Sequence, residues 1–167
     1  MNQIAIAKTL LTIWPGLEDY INMMVERARA HALCSYHTPD YTKCIMDKII
    51  DLNVKQQTIR NLSDQLNYVI GKMPDKTQIV IRSYYRLYET ATNIIALAKK
   101  LGIAERTFYR HLDRAVVFIA KNLTAIGINF FTWQDLLHQH RWIRETFMHQ
   151  CQLNPLQTNL HQMELNH

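Results

Sequence analysis

From Tyr41 to Ile70 the chain runs without a glycine or a proline, and a stripe of its apolar residues keeps one helical face. Ile45, Ile49, Leu52, Ile59, Leu66, Ile70 and Met73 recur at spacings of three, four or seven, with Gln56 and Ser63 as the polar interruptions. That is a heptad seam. A rod of this length predicts an all-α fold. The scarcity of turn formers, four glycines and four prolines in 167 residues, extends the expectation to the rest of the chain. The seam has two uses that bury the same stripe. It packs in an antiparallel hairpin with the preceding helix, or it forms a homodimeric coiled coil in which Gln56 and Ser63 tune the register.

The remaining elements follow from punctuation. Pro15-Gly16 divides the apolar opening IAIAKTLLTIW from a second helix over Leu17 to Ser35, striped by Leu17, Ile21, Met24 and Ala28. His37 to Asp40 reads as a turn, with Asp40 or Thr42 as the N-cap of the long helix. Gly71 to Pro74 interrupts the seam and marks a domain boundary. Asp75 or Thr77 then caps a helix carrying Ile79, Val80, Ile81, Tyr84, Tyr85 and Leu87. Gly127 is placed as the residue that ends a later apolar helix. Thr132 or Asn129 opens a single last helix from Trp133 to Gln152, holding Leu136, Leu137, Trp142, Ile143 and Phe147. The polar tail follows Pro155. The organisation expected is a helical and oligomerisation region over 1–73, a DNA-binding domain over 74–127, a C-terminal helix over 128–154 and a flexible tail over 155–167.

The chemistry concentrates in NIIALAKKLGIAERTFYRHLDRAVVFIAKNL, Asn93 to Leu123. Ala98 and Gly102 stand four apart, as a helix-turn-helix requires. The small side chain lets two helices cross closely, and the glycine permits the positive φ of the turn. Leu97, Leu101, Ile103, Phe108 and Leu112 lock the pair. Glu105, Arg106, Thr107, Tyr109, Arg110, Asp113 and Arg114 are left for a partner. From Lys99 to Lys121 there are six Lys and Arg residues against two acids. A second helix of this kind is built to enter a DNA major groove. Arg106, Tyr109 and Arg110 are placed to meet base edges or adjacent phosphates. Thr107 and Glu105 are placed to meet a phosphate and a cytosine amine. Lys99, Lys100, Arg114 and Lys121 suit the phosphate backbone, and Asp113 lies on the same face.

IALAKKLGIAERTFYRHLDRAV resembles region four of bacterial sigma factors, the part that reads the upstream promoter element. PDKTQIVIRSYY, Pro74 to Tyr85, is similar to the helix preceding that motif. Asp47-Lys48-Ile49-Ile50-Asp51-Leu52 and Ala104-Glu105-Arg106-Thr107-Phe108-Tyr109-Arg110 resemble the ArpU/RinA group of small phage regulators, over Arg27 to Leu123. The resemblance implies promoter-proximal binding to double-stranded DNA and activation of phage or prophage late genes, with RNA polymerase as a further partner. The chain departs from the group at Leu87 to Thr92, where a Gly-rich turn is usual. It departs again in the short Ser35 to Asp40 connection and in its last 40 or so residues.

Other classes fare less well. Cys34, Cys44 and Cys151 are an odd number, read as free thiols. His31, Cys34, His37 and Cys44 have zinc-ligand chemistry but no Cys-x-x-Cys pairing, and His138, His140 and His149 read as helix-surface residues. No metal and no cofactor is expected. No phosphate-cradling loop or nucleophile elbow is present, and Asp47 with Asp51 reads as a solvated acid pair, so no enzyme is expected. No segment approaches the ~20 apolar residues of a membrane span, and the opening lacks a basic leader and cleavage site. The expected location is cytoplasmic. A net charge of +5, concentrated at the motif, points to a local nucleic-acid surface. Two alternatives stand beside the DNA-binding regulator. One is a small-terminase-like DNA-packaging subunit; the other is a module that docks on RNA polymerase without touching DNA.

Overall fold

The computed structural model describes residues 2–33, 38–86 and 94–153. In chain order these form α1 (Gln3–Ile13), a 3-10 turn (Trp14–Gly16), α2 (Leu17–Leu33) and α3 (Pro39–Gly71). There follow α4 (Asp75–Arg86), α5 (Ile94–Lys100), α6 (Glu105–Lys121), a second 3-10 turn (Thr124–Ile126), α7 (Phe130–Gln139) and α8 (Arg141–Gln152). Among the described residues there is no strand, so the fold is all-α. No described helix is long and apolar enough to cross a membrane. Cys34, His37, the Leu87 to Thr92 segment and the tail after Pro155 lie outside the described residues.

The chain divides into two compact units, one of residues 1–15 with 66–167 and the other of residues 16–65. The boundary expected at residue 73 is therefore replaced by two crossings, one after Pro15 and one inside α3. The reason lies in α1. Ala5, Ile6, Ala7, Leu10, Leu11 and Ile13 are all buried, on every side of the helix. A helix apolar all round must be enclosed, and α1 is packed against α6 and α8. Its one buried hydroxyl, on Thr9, donates to the Ala5 carbonyl at 2.8 Å. At its end, Trp14 Nε1 donates to Asn67 Oδ1 at 2.8 Å, and the Arg82 guanidinium lies 5.9 Å from the centre of the Trp14 ring.

In the other unit, α2 and the first part of α3 form a hairpin. Ser63 Oγ donates to Glu18 Oε1 at 3.4 Å, which joins the start of α2 to a point far along α3 and makes the helices antiparallel. Leu17, Ile21 and Met24 are buried on α2, and Ile45, Ile59 and Leu62 on α3. Ile49 and Leu52 are half-buried. The stripe is buried within the chain, as the hairpin use of the heptad seam requires. Leu66, Ile70 and Met73 carry the same stripe into the core of the larger unit.

Several helix ends differ from expectation. Helix α3 begins at Pro39, which suits the first helical position. The cap is Thr38, whose Oγ1 accepts from the Tyr41 N–H at 3.3 Å, rather than Asp40 or Thr42. Helix α4 opens on the Pro74 carbonyl, which accepts from Thr77 and Gln78, so neither Asp75 nor Thr77 caps it. The Gln78 amide turns back to donate to the Met73 carbonyl at 2.8 Å. Asn129 and Thr132 form a reciprocal capping box at the start of α7. The single last helix is two: His140, at φ −124° and ψ 96°, breaks it, and this histidine is buried rather than on the surface.

Candidate nucleic-acid interface

The turn between α5 and α6 is built by backbone hydrogen bonds. Ile103 N–H donates to the Ala98 carbonyl at 3.0 Å and Gly102 N–H to the Lys99 carbonyl at 3.1 Å. This is the Schellman pattern, and it needs a left-handed residue at its second-to-last position. Gly102 supplies it at φ +66°. A Cβ at Gly102 would meet nothing within 4 Å, so the glycine is required by its backbone angle and not by crowding. Ala98, Leu97, Phe108 and Leu112 are buried as the spacing predicts, while Leu101 and Ile103 are half-buried.

Beyond the turn, Ala104 is extended and its carbonyl accepts from Thr107 and Phe108 at 2.9 and 3.0 Å, which starts α6. No side chain caps this end. Helix α6 then separates its faces, apart from the exposed Val117. Phe108, His111, Leu112, Ala115, Val116, Ile119 and Ala120 are buried. Glu105, Arg106, Tyr109, Arg110, Asp113, Arg114 and Lys121 are exposed, and Thr107 is half-buried at the edge. Lys99 and Lys100 are exposed in the last turn of α5, so both helices of the motif contribute cations. Among the described residues, no ion pair within the chain engages Arg106, Arg110, Arg114 or Lys121. Their guanidinium and ammonium groups are available to an anion. The helix that was expected to run on through Leu123 stops at Lys121. Gly127, at φ +76°, closes the 3-10 turn that follows instead of α6 itself.

The buried face is held by α4. The Tyr84 and Phe108 rings meet edge-on at 6.3 Å. Thr77 Oγ1 and His111 Nδ1 share a hydrogen bond of 2.9 Å, both residues being buried. Burial, together with the cations of Arg114, Arg110 and Lys76, holds His111 below the ordinary imidazole value. A neutral ring satisfies the Thr77 hydroxyl in either tautomer and adds no charge to a crowded cationic face. This pair joins α4 to the buried face of α6 alongside Phe108 and Leu112. Sequence reasoning passed over it: periodicity places position 111 inside, but nothing in the chain says that Thr77 lies opposite. Beside the exposed face, Met73, Pro74, Val117 and Phe118 line an apolar groove of about 460 Å³, whose rim includes Arg110, Arg114 and Lys121. It too was not anticipated.

In comparison with known proteins, no family model, no curated protein and no solved structure matches the chain.

Proposed function

We propose that the chain is a sequence-specific double-stranded DNA-binding transcription regulator whose α6 is the recognition helix. One observation carries this reading. Arg106, Tyr109, Arg110, Arg114 and Lys121 project from the solvent face of the second helix of a helix-turn-helix, and no ion pair among the described residues engages the cations. An α-helix fits the major groove, and an arginine there donates two hydrogen bonds to guanine, a contact contributing about 1–3 kcal/mol of discrimination. Arg106 and Arg110 take this role, with Tyr109 beside them. Thr107 and Glu105 lie near the helix start, where a phosphate and a cytosine amine would sit. Lys99, Lys100, Arg114 and Lys121 neutralise phosphates, which positions the helix without reading sequence. Asp113 lies on the same exposed face. The resemblance to sigma region four and to the ArpU/RinA group makes the regulator a promoter-proximal activator of phage or prophage genes.

The test is binding to upstream DNA of the source genome across a salt series, for the wild type and for Arg106→Ala/Arg110→Ala. Selective binding that weakens steeply with salt, and loses selectivity in the double variant, is the expected result. Wild-type binding without selectivity, or a double variant that behaves as wild type, would remove α6 as the reader.

A further inference from the structure

Val117 is the one aliphatic side chain that α6 exposes, at 44 %, and it stands among cations. Arg114 lies three residues before it and Lys121 four residues after, so a cation sits one turn to either side on the same face. Arg110 continues the row a turn beyond Arg114. Val117 and Phe118 form one wall of the groove of about 460 Å³, and Pro74, between α3 and α4, forms the other. The floor is closed by Met73, Thr77 and His111, all buried. The Thr77 hydroxyl and His111 Nδ1 satisfy one another at 2.9 Å, so this pair asks no polar contact of an occupant. The rim carries Arg110, Arg114 and Lys121 against the single carboxylate of Asp113. Among the described residues, no ion pair engages those three cations.

We propose that the groove binds a small amphipathic anion, a carboxylate head on an apolar body of medium acyl length. Each half of that ligand answers a feature of the site. An inorganic anion would pair with the rim and leave Val117 and Phe118 in water. A neutral hydrocarbon would cover the walls and leave three cations against one carboxylate. DNA phosphates reach the rim but present nothing apolar to the walls, so the proposal goes beyond DNA binding and gives Arg114 and Lys121 a second anion to hold. The length of the body is set by α6, where the apolar wall is closed by Arg114 and Lys121, about 10 Å apart along the axis. A peptide helix docks through apolar anchors repeated over successive turns, and this wall offers one turn. The groove's volume of about 460 Å³ is that of a small-ligand site. Asp113 stands three residues after Arg110 and repels a carboxylate from that end, which directs the head to Arg114 and Lys121.

The experiment is an amide NMR titration of the full chain with octanoate, below its micelle-forming concentration. Octanol, which lacks the charge, and acetate, which lacks the body, are titrated beside it. Octanoate should bind saturably, one per chain, with shifts centred on Pro74 and Val117. Octanol and acetate should bind about tenfold more weakly or less. Val117→Gln removes the apolar wall at an exposed position and leaves every charge in place. It should melt as the wild type does and weaken octanoate by about tenfold. Lys121→Gln should weaken octanoate and leave octanol unchanged. Octanoate that does not saturate, octanol that binds as tightly as octanoate, or a Val117→Gln variant that binds as the wild type does overturns the proposal. A glutamate-rich amphipathic peptide that shifts the same amides where octanoate does not would overturn it in favour of a protein partner. The titrations contain no DNA, so their outcome is independent of α6 as a reader of sequence.

Discussion

At the scale of single residues, Gly102 and His111 mark the two ends of what a sequence can disclose. The glycine's role follows from its place four residues after Ala98, and its φ of +66° is the conformation the turn demands. The role of His111 depends on Thr77, thirty-four residues earlier, and becomes visible only when α4 is laid on α6. That pairing has a pH signature. Burial first, then Arg114, Arg110 and Lys76, lowers the folded-state pKa of His111 below 6.5. As pH falls, the unfolded chain therefore takes up the proton before the folded one does. Stability should be fully present above about pH 6.5, decline as pH drops below it, and level off below the depressed folded value. Urea unfolding of the wild type and His111→Gln at several pH values checks this. The variant should lack that part of the acid sensitivity, and parallel curves would show that His111 contributes none of it.

At the scale of elements, periodicity located the helices but not all their ends. Nothing in His138 to Trp142 announces a break, since the stretch holds neither glycine nor proline. Packing supplies the reason. Trp133 and Phe147 are fourteen residues apart, about 21 Å along one straight helix, yet their rings meet at 5.3 Å. The turn at His140 folds α8 back so that Trp133 and Ile143 are buried. By contrast, the amphipathic split of α6 was readable from the sequence almost residue by residue, because a helix with one buried face repeats that face every three to four residues. Its start is the weak point: Ala104 occupies the N-cap position and offers no acceptor. Ala104→Ser should stabilise the larger unit by about 1 kcal/mol, because a serine there accepts a hydrogen bond that alanine cannot. Thermal or urea unfolding measures the gain, and an unchanged midpoint would mean that solvent already serves these N–H groups as well.

At the scale of the whole molecule, the lesson comes from α1. Its sequence announced a helix that packs on something, but not on what, because an element apolar all round carries no directional pattern. The structure places it against α6 and α8, nearly a hundred or more residues away along the chain. A fragment cut at residues 74–127 would therefore leave α6 without α1, the helix packed against it. Such a fragment should show no cooperative thermal transition, although it contains the entire helix-turn-helix. Leu10→Ala in the full chain tests the same dependence more gently. Leu10 is fully buried, and truncating a buried leucine costs about 2–5 kcal/mol. The loss should appear in the melting of the unit that carries α6 and, where DNA binding is measured, should weaken it only at temperatures that unfold the variant. A 74–127 fragment that melts cooperatively at the temperature of the full chain would show that α1 covers α6 without supporting it.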